Sequence, residues 1–345
     1  LYGEKVAYGL WAGQADSWIG KLFLNGFDPK SYERLYQCSV DELICASVMP
    51  TLEGLEVKAG EVCTIQYMDG VGYYATVRPE DSETTGRKFI DIEAASRLAI
   101  GAEVNGTLTV QAVDAQVLRL GYLNTSGSTT IGVINGVMQI DELTQEGENL
   151  TLVTDLGGSI ACDQMTVSSC EYAPRDGSRL SVENLTVNGT LTGGDVTVAG
   201  DLSGSNGSIG STLTLNGTRK QKVSGTLNVK NLEFSGTQIA MDCKLTVTDT
   251  LYGGTTEVIK GKNLVLSGGK LLGDSFCGEL SATNATFANQ RIQGILYNKG
   301  GVTCLGNVTV GGLVSTGALS MSDSGVLTVN GDLKLQTGGT LLGGK

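Results

Sequence analysis

From Glu183 to Lys345 the chain repeats one short phrase, apolar–threonine–apolar, and then turns. Leu185-Thr186-Val187, Val196-Thr197-Val198, Leu213-Thr214-Leu215, Leu245-Thr246-Val247, Val308-Thr309-Val310 and Leu327-Thr328-Val329 are six copies of it. Successive side chains of an extended backbone point to opposite faces. Each triplet therefore offers two branched apolar groups to a core and a threonine to water. Asn-Gly, Gly-Gly, Gly-Asp or Thr-Asp follows within a few residues and bends the chain. Strands this short bury too little alone and must stack on copies of themselves. The pattern predicts a mostly β chain folded as a parallel β-solenoid (β-helix). The strict hexapeptide of left-handed solenoids is missing, so a right-handed or irregular coil is expected.

The leucines at 227, 245, 264 and 280 mark steps of 18, 19 and 16 residues, which fits coils of about 18 residues with two or three short strands each. A shorter step, such as Leu185 to Val196, fits successive sides of one coil. The same texture begins at Asn105-Gly106-Thr107-Leu108-Thr109-Val110. Through 101–182 it is looser, with Ile131, Val133, Ile134, Met138 and Ile140 marking strands and 142–149 a polar excursion. Beyond Pro174 there is no proline, as strands paired on both edges require. The expected organisation is an N-terminal segment 1–100, an irregular start of the solenoid at 101–182, and regular repeats over 183–345 that continue past Lys345.

Residues 1–100 read differently. They hold twelve of the 19 aromatic residues and three of the four prolines, a density suited to a compact core. Asp28-Pro29 has the form of a helix start, with Tyr32, Leu35 and Tyr36 at helical spacing after it. Alternation over 61–77 predicts two strands about a turn at Asp69-Gly70. A small α+β or β-rich domain is expected, serving either to cap the exposed strand edges at the solenoid's end or to attach it to a partner.

Composition narrows the function classes. A formal net charge of −12 argues against a nucleic-acid partner, because phosphate binding requires an excess of Lys and Arg. No run approaches the ~20 apolar residues of a membrane-spanning helix. The chain opens at Leu1 without an initiator methionine or signal peptide and reads as a processed or excerpted piece of something longer. Eight cysteines without any histidine or C-x-x-C pair do not compose a zinc site. Cys38/Cys45 and Cys162/Cys170 are close enough in sequence for local disulfides; the others suit buried apolar positions.

No catalytic, cofactor or metal constellation emerges. Asp195/Asp201 and Asp274/Glu279 are the closest acidic pairs in the regular region, and both sit beside glycine turns where such residues are expected anyway. Gly193-Gly194-Asp195 occurs once, without the tandem copies that a calcium-binding repeat needs. Arg219-Lys220-Gln221-Lys222 is the only basic cluster and reads as a solvated loop. Asn-x-Ser/Thr occurs at Asn105, Asn124, Asn149, Asn184, Asn188, Asn206, Asn216, Asn284 and Asn307, nine of 17 asparagines. These are candidate glycosylation sites, although Asn-Gly-Thr is also what a turn leading into a strand would write. The threonines of the triplets would face outward, and irregular spacing argues against one flat threonine ladder.

The run Leu185-Thr186-Val187-Asn188-Gly189-Thr190-Leu191-Thr192-Gly193-Gly194, echoed at Leu327–Gly331, resembles the repeats of bacterial surface β-solenoids such as autotransporter passengers, filamentous adhesins and fibre shafts. The resemblance covers roughly 101–345. It implies a non-enzymatic extracellular or cell-surface protein, structural or adhesive, whose partners are further copies of itself or a cell-surface glycan. Bactofilin-like cytoskeletal scaffolds share the rhythm. Carbohydrate-active β-helix enzymes and tailspike-like glycan binders share the fold. The Gly-His-Gly of polygalacturonase-like enzymes is impossible in a chain without histidine.

Overall fold

A computed structural model describes residues 17–25, 38–46, 55–68, 72–81, 100–111 and 117–344. The chain forms two compact units, Leu1–Ile160 and Ala161–Lys345. Both are built from parallel β-coils, so the predicted parallel β-solenoid is the fold. Among the described residues the only helical element is one 3-10 turn, Gly261–Asn263. The expected helix start at Asp28-Pro29 and the turn at Asp69-Gly70 lie outside the described residues.

In the first unit the strands Leu55–Val57, Ile100–Val104, Val117–Thr125 and Val137–Gln145 stack in parallel along one side. The strands Glu61–Met68, Thr107–Gln111, Thr129–Ile134 and Leu150–Asp155 stack along another. Cys63, Leu108, Ile131 and Leu152 form one inward column, each wholly buried. The expected hairpin is present: Glu61–Met68 also pairs antiparallel with Gly72–Pro79. That second strand covers an edge which would otherwise offer free N–H and C=O groups. Ser17–Asn25 and Cys38–Ala46 form a separate parallel pair.

In the second unit the register confirms the sequence rhythm. Leu227, Leu245, Leu264, Leu280, Leu296, Leu313 and Leu333 follow one another up a single column. A second column runs Leu180, Val196, Leu213, Leu232, Leu251, Leu271, Phe287, Cys304 and Met321, in steps of 16 to 20 residues. A third begins Cys170, Leu191, Ile209, Val229, Val247, Leu266 and Ala282, then turns polar at Asn298 and Ser315. Both polar residues are fully buried. Asn298 Nδ2 donates to Ser315 Oγ at 2.8 Å and to the Gly317 carbonyl at 3.0 Å, while its Oδ1 accepts from Gly300 N at 2.9 Å. An interior amide is tolerated there because its hydrogen-bonding groups are matched.

The corners follow from glycine and asparagine. Gly225 has φ 87°, and a Cβ there would collide with the Gly204 carbonyl of the coil beneath. Only glycine fits such a place without strain. Among the described residues, non-glycine positive φ occurs at Asn135, Asn206, Asn284 and Asn289, and otherwise only at Leu156 and Lys260. Asparagine tolerates the left-handed region better than most side chains.

Candidate functional site

The asparagines and aspartates of the turns do a job that the sequence alone did not disclose. Asn184 Oδ1 accepts from Asp201 N at 2.7 Å, and Asn188 Oδ1 from Ser205 N at 3.3 Å, each 17 residues on. Asn105 Oδ1 accepts from Ser126 N and Gly127 N at 2.8 and 3.0 Å. Asn231 Oδ1 and Asn289 Oδ1 do the same for Thr250 N and Asn307 N. Asp195 and Asp201, one of the acidic pairs, accept from Thr212 N at 3.2 Å and Lys222 N at 2.8 Å. At a corner the backbone ladder is interrupted, and a short side-chain acceptor satisfies the next coil's N–H. This clasp accounts structurally for much of the Asn and Asp enrichment beside glycine.

Of the candidate glycosylation positions, Asn149, Asn188, Asn206, Asn216, Asn284 and Asn307 are exposed, and Asn105, Asn124 and Asn184 are half-buried. Asn124 Nδ2 donates to Glu103 Oε1 at 2.8 Å, whereas the clasps of Asn105, Asn184 and Asn188 use the oxygen and leave the amide nitrogen, the atom that carries a glycan, out of that bond.

The expected Cys162/Cys170 disulfide is not formed. Both cysteines are buried in the strand Ser159–Pro174, eight residues apart, and Cys162 Sγ donates to the Gln164 carbonyl at 3.0 Å. Burial, with Glu171 adding to it, pushes the Cys170 thiol up to about 12. Cys38 and Cys45 lie near opposite ends of the strand Cys38–Ala46. Seven residues of extended backbone span roughly 23 Å, far beyond the Cα separation a disulfide allows.

The outward threonines do not share a ladder. Thr197 stacks on Thr214 and Thr309 on Thr328, while Thr186 meets Ser203 and Thr246 meets Asn228 and Val265. Thr186 and Ser203 hydroxyls are 2.8 Å apart. The other acidic pair is split in role: Asp274 is exposed, and Glu279 Oε1 accepts from Tyr297 OH at 3.3 Å. Lys262 Nζ stands 5.2 Å from the centre of the Tyr297 ring. Among the described residues no three His, Cys, Asp or Glu side chains gather as metal ligands, and no helix is long and apolar enough to cross a membrane.

One outer face gathers chemistry from four successive coils. Asp201, Lys220, Lys222, Asp242 and Lys260 surround a shallow recess of about 350 Å³ whose apolar lining residues are Ala240 and Ile259. Strand register explains the gathering: Lys222 lies beside Ala240 and Ser224 beside Asp242, and Lys222 N is clasped by Asp201. Ala240 points outward by alternation with Ile239 and Met241, yet is only 7% exposed. Lys260 holds a left-handed backbone, φ 58° and ψ 35°, and its ammonium pairs with the Asp242 carboxylate. That hydrogen bond, and the charges of Lys260, Lys222 and Lys220, hold the Asp242 carboxyl below the usual carboxylate range against some desolvation. Two of the lysines come from the predicted basic cluster; Lys260 and the carboxylates reach it only through the coil register. Compared with protein-family models, with curated proteins and with solved structures, the chain finds no match.

Proposed function

We propose that this chain is a non-enzymatic extracellular or cell-surface protein, a stiff β-solenoid shaft with a structural or adhesive role. The observation that carries this reading is the register-locked stack of inward columns, above all the leucine column from Leu227 to Leu333. Each coil lends its neighbour a row of backbone hydrogen bonds and a buried apolar layer, so bending the stack would break both at once. The corner clasps add side-chain links between coils.

Self-association belongs to the proposal. An unpaired strand edge is a template for a further β-coil, here of a second copy. The exposed Asn-x-Ser/Thr positions favour a secreted, glycosylated product. Buried cysteines held as thiols favour instead the cell-internal scaffold as the second reading, since reduced cysteine is the rule inside cells.

The test is electron microscopy and intact mass spectrometry on material isolated from its native source. The proposal expects rods or filaments carrying added glycan mass. Compact, non-assembling particles would overturn the shaft, and rods of unmodified mass would move it to the interior of the cell.

A further inference from the structure

The shaft reading requires no ligand, yet the recess on the second unit has the makings of one subsite. We infer that the recess around Lys220 and Lys222 binds one residue of an acidic saccharide, its carboxylate on those two ammoniums and its ring over Ala240 and Ile259.

Three observations point that way. Lys220 and Lys222 make no ion pair among the described residues, whereas Lys260 is already held by Asp242. Two uncommitted ammoniums two residues apart on one strand face the same side and can share one anion. Ala240 and Ile259 are the apolar residues of the lining, and a sugar ring has an apolar face to lay against them. The remaining rim groups, Asp201 and Asp242, are acceptors, suited to sugar hydroxyls and hostile to a bare dianion. With three lysines against two aspartates the recess carries a net charge of +1 on a chain of net charge −12. That balance suits a single carboxylate better than a phosphate dianion. A volume of about 350 Å³ is at the small end of ligand sites and suits a short stretch of a saccharide that continues outside.

Lys260 supports the arrangement without touching the anion in this scheme. Its left-handed backbone, φ 58°, is one that an asparagine or glycine adopts more readily. In that conformation its ammonium neutralises Asp242, which otherwise would repel a carboxylate seated on Lys222.

The experiment is calorimetric titration of the full chain with trigalacturonate, with its carboxyl-reduced neutral counterpart, and with inorganic phosphate. Lys220→Gln/Lys222→Gln is run alongside. Both lysines are exposed, and circular dichroism confirms that the variant stays folded. The expected result is saturable trigalacturonate binding that weakens with salt, falls by roughly tenfold or more in the double variant, and is far weaker for the neutral sugar. Phosphate binding as tight as trigalacturonate would overturn the saccharide assignment. Absent trigalacturonate binding, or binding unchanged in the double variant, would overturn the site. Neither result bears on whether native material forms rods.

Discussion

The two compact units stack coils in the same parallel sense but with different coils. In Leu1–Ile160 the inward columns take first steps of 45 and 47 residues, from Cys63 to Leu108 and from Val57 to Val104, and then climb in steps of 20 to 23, as from Leu108 to Ile131 and from Leu123 to Leu143. In Ala161–Lys345 the column from Leu180 to Met321 climbs in steps of 16 to 20. The longer coils place polar groups inside: Val57 and Val104 are followed in their column by Thr125 and Gln145, and Val110 and Val133 by Thr154. In the shorter coils the three inward columns stay apolar until Asn298 and Ser315, and buried polar groups such as Gln221 lie beside those columns rather than in them. A solenoid can therefore vary its circumference and its interior chemistry while the backbone ladder stays constant. Stability should follow the interior, and binding should follow the outside.

The hardest blow to that contrast is a cavity in the aliphatic unit. Leu245→Ala removes a buried layer between Leu227 and Leu264 and should cost about 2–5 kcal/mol. Hydrogen exchange should locate the loss in the coils adjoining Leu245 and spare the first unit. In the longer coils the corresponding weak point is polar. Gln145, 1% exposed, donates to the Glu148 carbonyl, and Gln145→Leu should cost about 1–3 kcal/mol in a urea titration by stranding that acceptor. A stable Gln145→Leu would mean that the polar interior is incidental.

Smaller effects belong to the corners. Asn184→Ala deletes one clasp to Asp201 N and should cost about 1 kcal/mol, with faster exchange of that amide. Asn184→Asp keeps the acceptor and should recover most of it. The buried thiols add a pH dependence. Cys170 is pushed up to about 12 and Cys304, by burial, to about 11. A folded-state value above the unfolded one means full stability below the unfolded pKa, about 8.5. It is then lost progressively as pH rises toward the folded values. At pH 8, iodoacetamide followed by intact mass should leave Cys170 unmodified in the folded chain and modify it in denaturant.

What the sequence disclosed tracks this division. The aliphatic columns were legible because Leu227, Leu245, Leu264 and Leu280 repeat at nearly coil length, and the register stacks them as the spacing implied. The hairpin over 61–77 was legible from alternation alone. The longer coils looked irregular because interior Thr125, Gln145 and Thr154 break the apolar beat. The Cys162/Cys170 bridge failed because proximity in sequence is not proximity in space when the intervening chain is extended. The recess was invisible for the converse reason: Asp201, Lys222, Asp242 and Lys260 meet only after four coils are laid in register. One signal was nonetheless present, since lysine and aspartate recur there about a coil length apart, as 18 residues separate Asp242 from Lys260.

A stacked-coil solenoid is defined by which residue lies over which. The most direct test is a cross-link between neighbouring coils. Thr186→Cys/Ser203→Cys places two thiols on residues that are register partners with touching hydroxyls, while Thr186→Cys/Ser208→Cys offsets one of them along the same strand. Mild oxidation, read by mass spectrometry after digestion, should join the first pair and not the second. Equal cross-linking of both pairs, or of neither, would contradict the register and with it the stacked-coil account.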